Sequence, residues 1–266
     1  MSNRLHDPAE PALLVAIDRN WRAGMRAFGL APHVHLRDDD QIFWYITGVS
    51  DPAFNSIMYA HLRPDQIDGA VQELHSLRAS YAVPMNWLVG ADSRPADLGR
   101  QLVASGLRHL VDLPLMTVEL QTLRFDHGHP AGVTIRRVDS EPLWAEWIAA
   151  EQQGFEVDAT LAPALAALRA GMGPGQPPLD HFLARLGDQP VATASLLLAD
   201  GIAGVYDVAT VPEARGGGIG RAMMLHVLQA AREQGYHHAW LQPSEMAYPF
   251  YERMGFRVCG ACSIFG

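Results

Sequence analysis

Residues 205–220 read Val-Tyr-Asp-Val-Ala-Thr-Val-Pro-Glu-Ala-Arg-Gly-Gly-Gly-Ile-Gly, and the reading of the whole chain starts from them. The first half of the stretch is rich in β-branched and apolar residues and follows a turn signal at Asp200-Gly201. Residues 202–211 are therefore predicted as a strand. Pro212 closes it. Beyond three consecutive glycines, Met224, Val227, Leu228 and Ala231 recur at helical spacing, which predicts a helix from Gly218 to about Gln234. A helix entered through Gly216-Gly217-Gly218 leaves its first N–H groups without helical acceptors, at the positive end of the helix dipole. With no Cβ atoms in the way, phosphate oxygens can approach those groups, and Arg215 and Arg221 flank them as cations. On the glycines alone, a plain flexible turn is an equal reading.

Working downstream, Ala247-x-x-Phe250-Tyr251-x-x-x-Gly255-Phe256 predicts a short helix over 246–254 and a last strand over 256–263. Arg215-x-x-Gly218-x-Gly220 behind a strand, followed after one helix and one strand by this tyrosine and Gly-Phe pair, resembles the two signatures of the GNAT superfamily of N-acetyltransferases. The resemblance covers roughly 133–266. It implies an α/β (α+β) GNAT fold, a mixed central sheet flanked by helices, with acetyl-CoA as co-substrate and no metal.

Carried onto this sequence, the resemblance implies that the backbone of Val208, Ala209 and Thr210 holds the pantetheine arm. The N–H groups of Gly216, Gly217, Gly218, Ile219, Gly220 and Arg221, beside Arg215, would hold the pyrophosphate. Ser244 stands where the family often has an asparagine contacting CoA. Tyr251 would give a proton to the departing thiolate, which a phenol of pKa about 10 can do at neutral pH. The plainer reading of Tyr251 is a core aromatic beside Phe250. Many members carry a glutamate on the strand before the loop. Here that position is Tyr206 with Asp207 adjacent, and strand alternation sends only one of them to the cleft. Asp207 is the candidate base, against a purely ion-paired role and against a water chain. Glu156, in the loop after the first helix of this half, is the candidate for holding a cationic acceptor.

Working upstream, the first half repeats the layout. Trp87-Leu88 echoes Trp240-Leu241, and Ser105-Gly106-Leu107-Arg108 echoes Met254-Gly255-Phe256-Arg257. The arrangement resembles tandem GNAT proteins, a degenerate domain at 1–125 and a catalytic one at 126–266, joined through the polar Gly-, Pro- and His-rich stretch 122–132. Matching Trp87 to Trp240 puts Asp65 at the place of Gly218 and Ile67 at that of Gly220. Matching Gly106 to Gly255 puts Leu102 at the place of Tyr251. A carboxylate at that helix start repels pyrophosphate, so the first half is expected to bind no CoA and to wall the acceptor pocket.

Composition narrows the partners. The 266 residues carry 20 basic and 29 acidic side chains, a net charge of −9, and every basic residue is arginine. Without lysine there is no Schiff-base chemistry and no GxxxxGK[ST] nucleotide loop. An acidic chain is also a poor ligand for nucleic acid or anionic membranes. The most apolar stretch, 191–211, is broken by Asp200-Gly201 and contains Asp207, so it reads as a hairpin and not as a membrane span. With no apolar run at the N-terminus, a cytoplasmic location is expected. Cys259 and Cys262 lie in strand context without a second pair for zinc. The pairs His33/His35 and His127/His129, and the run Asp38-Asp39-Asp40, read as surface features, and Trp144 and Trp147 as core.

The expectation is an acetyl-CoA-dependent N-acetyltransferase in which an amine attacks the thioester directly. The enclosed two-half layout favours a small-molecule amine, amino acid or amino-sugar acceptor. A peptide or protein N-terminus, and a non-catalytic acyl-CoA sensor, are the alternatives. An internal pseudo-dimer allows a monomer, and a homodimer stays open.

Overall fold

The structure, a computed structural model, describes residues 10–125, 130–175 and 178–266. The first half runs α1 (Glu10–Arg26), β1 (His35–Asp38), β2 (Ile42–Ile46), β3 (Asn55–Ala60), α2 (Ile67–Tyr81), β4 (Asn86–Val89), α3 (Leu98–Ala104) and β5 (His109–Glu119). The second runs β6 (Val133–Arg137), α4 (Glu141–Gly154), α5 (Ala162–Met172), β7 (Leu179–Leu186), β8 (Gln189–Ala199), β9 (Ile202–Thr210), α6 (Ile219–Glu233), β10 (His238–Leu241), α7 (Tyr248–Arg253) and β11 (Arg257–Phe265). The predicted elements are present with shifted ends. The helix expected over 246–254 starts at Tyr248, because Ser244 already turns the chain by accepting the N–H groups of Ala247 and Tyr248.

All strands join one eleven-stranded mixed sheet, in the order β1-β2-β3-β4-β11-β5-β10-β9-β8-β7-β6. The division near residue 125 is thus not a division in space. Each half gives its last strand to the other: β5 pairs with β10, β11 pairs with β4, and β5 and β11 pair with each other. Helices cover both faces, as a sheet buried on two sides requires. Leu115, Met116 and Val118 of β5 are buried in the cores beneath α1 and α6.

Helix α1 belongs to the first half in sequence but packs on β8 and β9 of the second. Its Asn20, fully buried, donates to the carbonyls of Ala199 and Ile202 (both 3.0 Å) and accepts from the Tyr206 hydroxyl (2.8 Å) and the Trp240 indole N–H (2.9 Å). A buried amide so satisfied fixes one registration of the helix on the sheet. Gly204 makes room for it: a Cβ there would lie 2.2 Å from Asn20 Oδ1. Trp144 and Trp147 are buried and stacked, as expected of core residues.

Two pairs of neighbouring strands splay. β9 and β10 pair only at Ala203–Ala239 and Gly204–Trp240, so from Val205 onward the β9 edge facing β10 carries no ladder. β3 and β4 likewise pair only at Ser56–Asn86 and Ile57–Trp87. There the chain fills its own gap: Arg94 donates to the carbonyl of Ala60 and accepts from Leu62 N–H, which lays the segment after β4 along the open edge. The β9 edge has no such filler among the described residues.

Candidate active site

The open β9 edge runs into the glycine loop. Gly216 and Gly218 both have φ of +80°, a conformation costly for residues with a side chain. Gly218 is the N-cap of α6, so the N–H groups of the first turn emerge beside it. A Cβ on Gly220 would lie 3.2 Å from the Thr210 hydroxyl, so glycine keeps the helix start close against the strand end. These backbone groups line a cavity of about 630 Å³ together with Val208, Ala209, Thr210, Ser244, Phe250 and Tyr251. A row of backbone N–H groups that leads onto an unpaired strand edge fits a ligand with a phosphate end and an amide-bearing arm.

Most of the residues expected here from sequence meet in this cavity, Ile219 and Arg221 included; Gly217 lies in the loop but is not part of the cavity wall. Their roles divide. Arg215 donates to the carbonyls of Thr210 (3.1 Å) and Gly154 (2.9 Å) and pairs with Glu156 (2.9 Å), so its guanidinium ties the end of β9 to the end of α4. Glu156, proposed from sequence as the acceptor's anion, is therefore already paired, although it stands where this cavity meets a second one. Ser244 accepts the Ala247 N–H on its hydroxyl as a helix-start turn. Tyr251 is buried, packed edge-on against Phe250 and Phe256, with burial raising its pKa well above the ordinary phenol range. It is thus both the core aromatic and a cavity-lining phenol, and its hydroxyl stays protonated.

Asp207 departs from the expected alternation. It has φ of +52° at a bulge in β9 opposite Thr193 and Ser195. The bulge puts Tyr206 and Asp207 on the same face: Tyr206 bonds Asn20 of α1, and Asp207 accepts from Arg169 of α5 (2.8 Å). Asp207 is held further by the Ser195 hydroxyl, which donates to Oδ2 (2.7 Å), and by the Thr193 hydroxyl on its carbonyl (2.8 Å). Because the Ser195 proton is spent on Asp207, His181 Nδ1 must donate to Ser195 Oγ (2.7 Å). Burial lowers the His181 pKa to about 4, so it is a neutral link.

Arg169 also bonds Glu151 of α4. One buried guanidinium therefore serves two carboxylates. Burial, with Asp207 nearby, pushes Glu151 up to about 7 even though Arg169 opposes it. None of Glu151, Arg169, Ser195 or His181 was marked by any motif in the sequence. The apolar helix pattern of α4 and α5 absorbs the first two, and only the contact between the helices reveals their purpose.

Glu151, Arg169 and Asp207 form the inner wall of the second cavity, about 490 Å³, which meets the first at Phe155 and Glu156. The first half contributes Trp21, Met25, Phe28, Asp51, Ala53 and Phe54 to its lining. Elsewhere, Asp65 pairs with Arg63 at the surface and Leu102 is core. Asp38 pairs with Arg22 and Arg26, and Asp39 with Arg37. Cys259 and Cys262 are free thiols on β11. His127 and His129 lie outside the described residues. No described helix is long and apolar enough to cross a membrane.

Over 59 residues the chain is 42% identical to the streptothricin acetyltransferase of Streptomyces lavendulae, 21% of this chain and 31% of that one. The chain spans about a third of the length of the curated relatives it matches. Among solved structures, a GCN5-related N-acetyltransferase from Kribbella flavida superposes with a TM-score of 0.68 at 23% identity over 94% of both chains. A tandem GNAT protein from the clavulanic acid biosynthesis pathway does so with 0.59 at 15%, over 88% of this chain and 83% of its own. These two likenesses establish a shared fold across both halves. The model of the Acetyltransferase (GNAT) family matches residues 144–256, from α4 through the glycine loop to the Gly-Phe pair after Tyr251. Residues 144–256 thus match the Acetyltransferase (GNAT) family, within a whole-chain fold shared with tandem GNAT proteins.

Proposed function

We propose that the protein is an acetyl-CoA-dependent N-acetyltransferase whose acceptor is a small amine. The observation that carries this is the meeting of two cavities at Phe155 and Glu156. One has a glycine cradle, an open strand edge and a phenol; the other has a carboxylate–guanidinium wall. Acetyl-CoA, when bound, supplies the acetyl group: the acceptor's C–N bond forms as the C–S bond breaks. The residues of this chain do the rest. Backbone groups of 208–210 and 216–221 hold the arm and the phosphates. The carboxylate pair Glu151–Asp207, with Arg169 between, takes the proton the amine loses. Tyr251, protonated over the whole working range, delivers one at the sulfur.

The first half would wall the acceptor cavity and bind no second acetyl-CoA, since its own segment fills the matching strand gap. A non-catalytic sensor would use the first cavity alone, and the Glu151–Arg169–Asp207 wall would then have no task.

Titration calorimetry with acetyl-CoA should give one site per chain. Gly218→Asp, which puts a carboxylate at the α6 start, should abolish it. Tyr251→Phe should keep the affinity and lower kcat by about 100-fold or more, the usual weight of a proton donor. Two sites per chain would refute the role given to the first half. Binding without turnover on any amine would favour the sensor.

A further inference from the structure

Five carboxylates line the second cavity: Asp51, Glu151, Glu156, Asp158 and Asp207. Three of them are accounted for. Glu151 and Asp207 share Arg169, and Glu156 holds Arg215. Asp51 and Asp158 have no ion-pair partner among the described residues. Each uses one oxygen locally: Asp51 Oδ1 accepts from Ala53 N–H (2.8 Å), and Asp158 Oδ1 from Thr160 N–H (2.8 Å) and the Thr160 hydroxyl (2.6 Å). The second oxygen of each is uncommitted. Asp51 comes from the loop after β2 in the first half, and Asp158 from the loop between α4 and α5 in the second. Asp158 is exposed and Asp51 half-buried, whereas Glu151 and Arg169 are buried, so the uncommitted pair sits toward the mouth and the neutralised set at the inner end. Between them the walls are aromatic: Trp21, Phe28, Phe54 and Phe155.

The reacting amine must lose its charge to attack, and the inner set already has a place for that proton. The mouth carboxylates therefore serve a different charge on the same molecule. Resting on the acetyltransferase reading above, we propose that the acceptor is a dication: a diamine with a flat or apolar body. One amine is acetylated at the inner end while the second, as ammonium, is held at the mouth between Asp51 and Asp158. The aromatic walls take the body and add cation–π attraction to the charge. Anionic acceptors are repelled by the surplus negative charge.

The test compares two probes of one shape, p-xylylenediamine and benzylamine, which differ by the second aminomethyl group. Affinity for the CoA-saturated full-length protein is measured by calorimetry, and kcat/KM with acetyl-CoA by release of the free thiol. The diamine should bind at least about tenfold more tightly and be preferred by the same factor in kcat/KM, with the preference shrinking at high salt. In Asp51→Asn/Asp158→Asn, which keeps the three local hydrogen bonds through Oδ1, the ratio should fall to within about twofold. Equal affinity for the two probes in the wild type, or a preference that survives the double substitution, overturns the dication while leaving the acetyltransferase standing. Failure to bind acetyl-CoA, by contrast, defeats the reading of the enzyme itself.

Discussion

Residues 126–266 produced on their own should not fold, even though they contain the whole family match. The half would lack β5, which lies between its β10 and β11, so β10 would have an open edge and β11 no sheet to join. It would also lack α1, exposing the face of β8 and β9 and leaving the acceptors of Asn20 to find water. Leu115, Met116, Val118 and Ile17 alone each bury a side chain whose transfer is worth about 1.5–3 kcal/mol. Together with the lost ladders this matches or exceeds the roughly 5–15 kcal/mol by which a whole domain is stable. The isolated half should give no cooperative urea transition by circular dichroism. Co-production with 1–125 should restore it and acetyl-CoA binding with it. A monomeric, cooperatively unfolding 126–266 that binds acetyl-CoA would show that the exchanged strand is dispensable.

The largest effect of a single substitution should come from Arg169→Met. The methionine fills the space, but Glu151 and Asp207 are left as two neighbouring carboxylates without a cation, one of them deeply buried. Breaking such a pair by removing one partner costs about 3–5 kcal/mol. The loss should depend on pH with a definite sign. With Arg169 present, Glu151 already titrates near 7; without it, Glu151 binds its proton still more tightly in the folded state. The unfolded chain releases that proton in the ordinary carboxylate range near 4. The folded variant then holds more protons than the unfolded one at intermediate pH, so its stability falls as pH rises. Urea unfolding should show the full deficit near pH 8 and a clearly smaller one near pH 5. A deficit under about 1 kcal/mol, or one independent of pH, would mean that the network is not the buried charge system described here.

The parts of the site legible from sequence were those set by local backbone demands. Glycines at 216 and 218 have the left-handed φ that marks them, and Tyr251 sits on a short helix before a Gly-Phe pair. What stayed hidden depends on partners far away in the chain. Asn20 reads as one polar residue in an amphipathic helix, yet it fastens that helix to strands more than half the chain away. Glu151 and Arg169 are each an ordinary charge on a helix until α4 and α5 pack. Asp51 and Asp158 look like turn residues, and are turn residues, with one oxygen left over. Alternation sent Asp207 and Tyr206 to opposite faces, whereas a bulge breaks the period of two and puts them on one. Strand order was illegible for a related reason: alternation says which face a residue takes, never which strand lies beside it.

The exchange of β5 and β11 also sets an order of events. The edge of β4 that Ser263, Ile264 and Phe265 cover belongs to a strand made at residues 86–89, and its partner is the last strand of the chain. While the protein is being synthesised, that edge and the far side of β5 stay open until β11 has been made. Neither half can close before then. Both must close together afterwards, through pairings between residues far apart in sequence, the kind of closure that makes folding slow and exposes strand edges meanwhile. A chain built this way completes two sites' worth of scaffold in one late step, and its yield in a cell is governed by how long those edges wait.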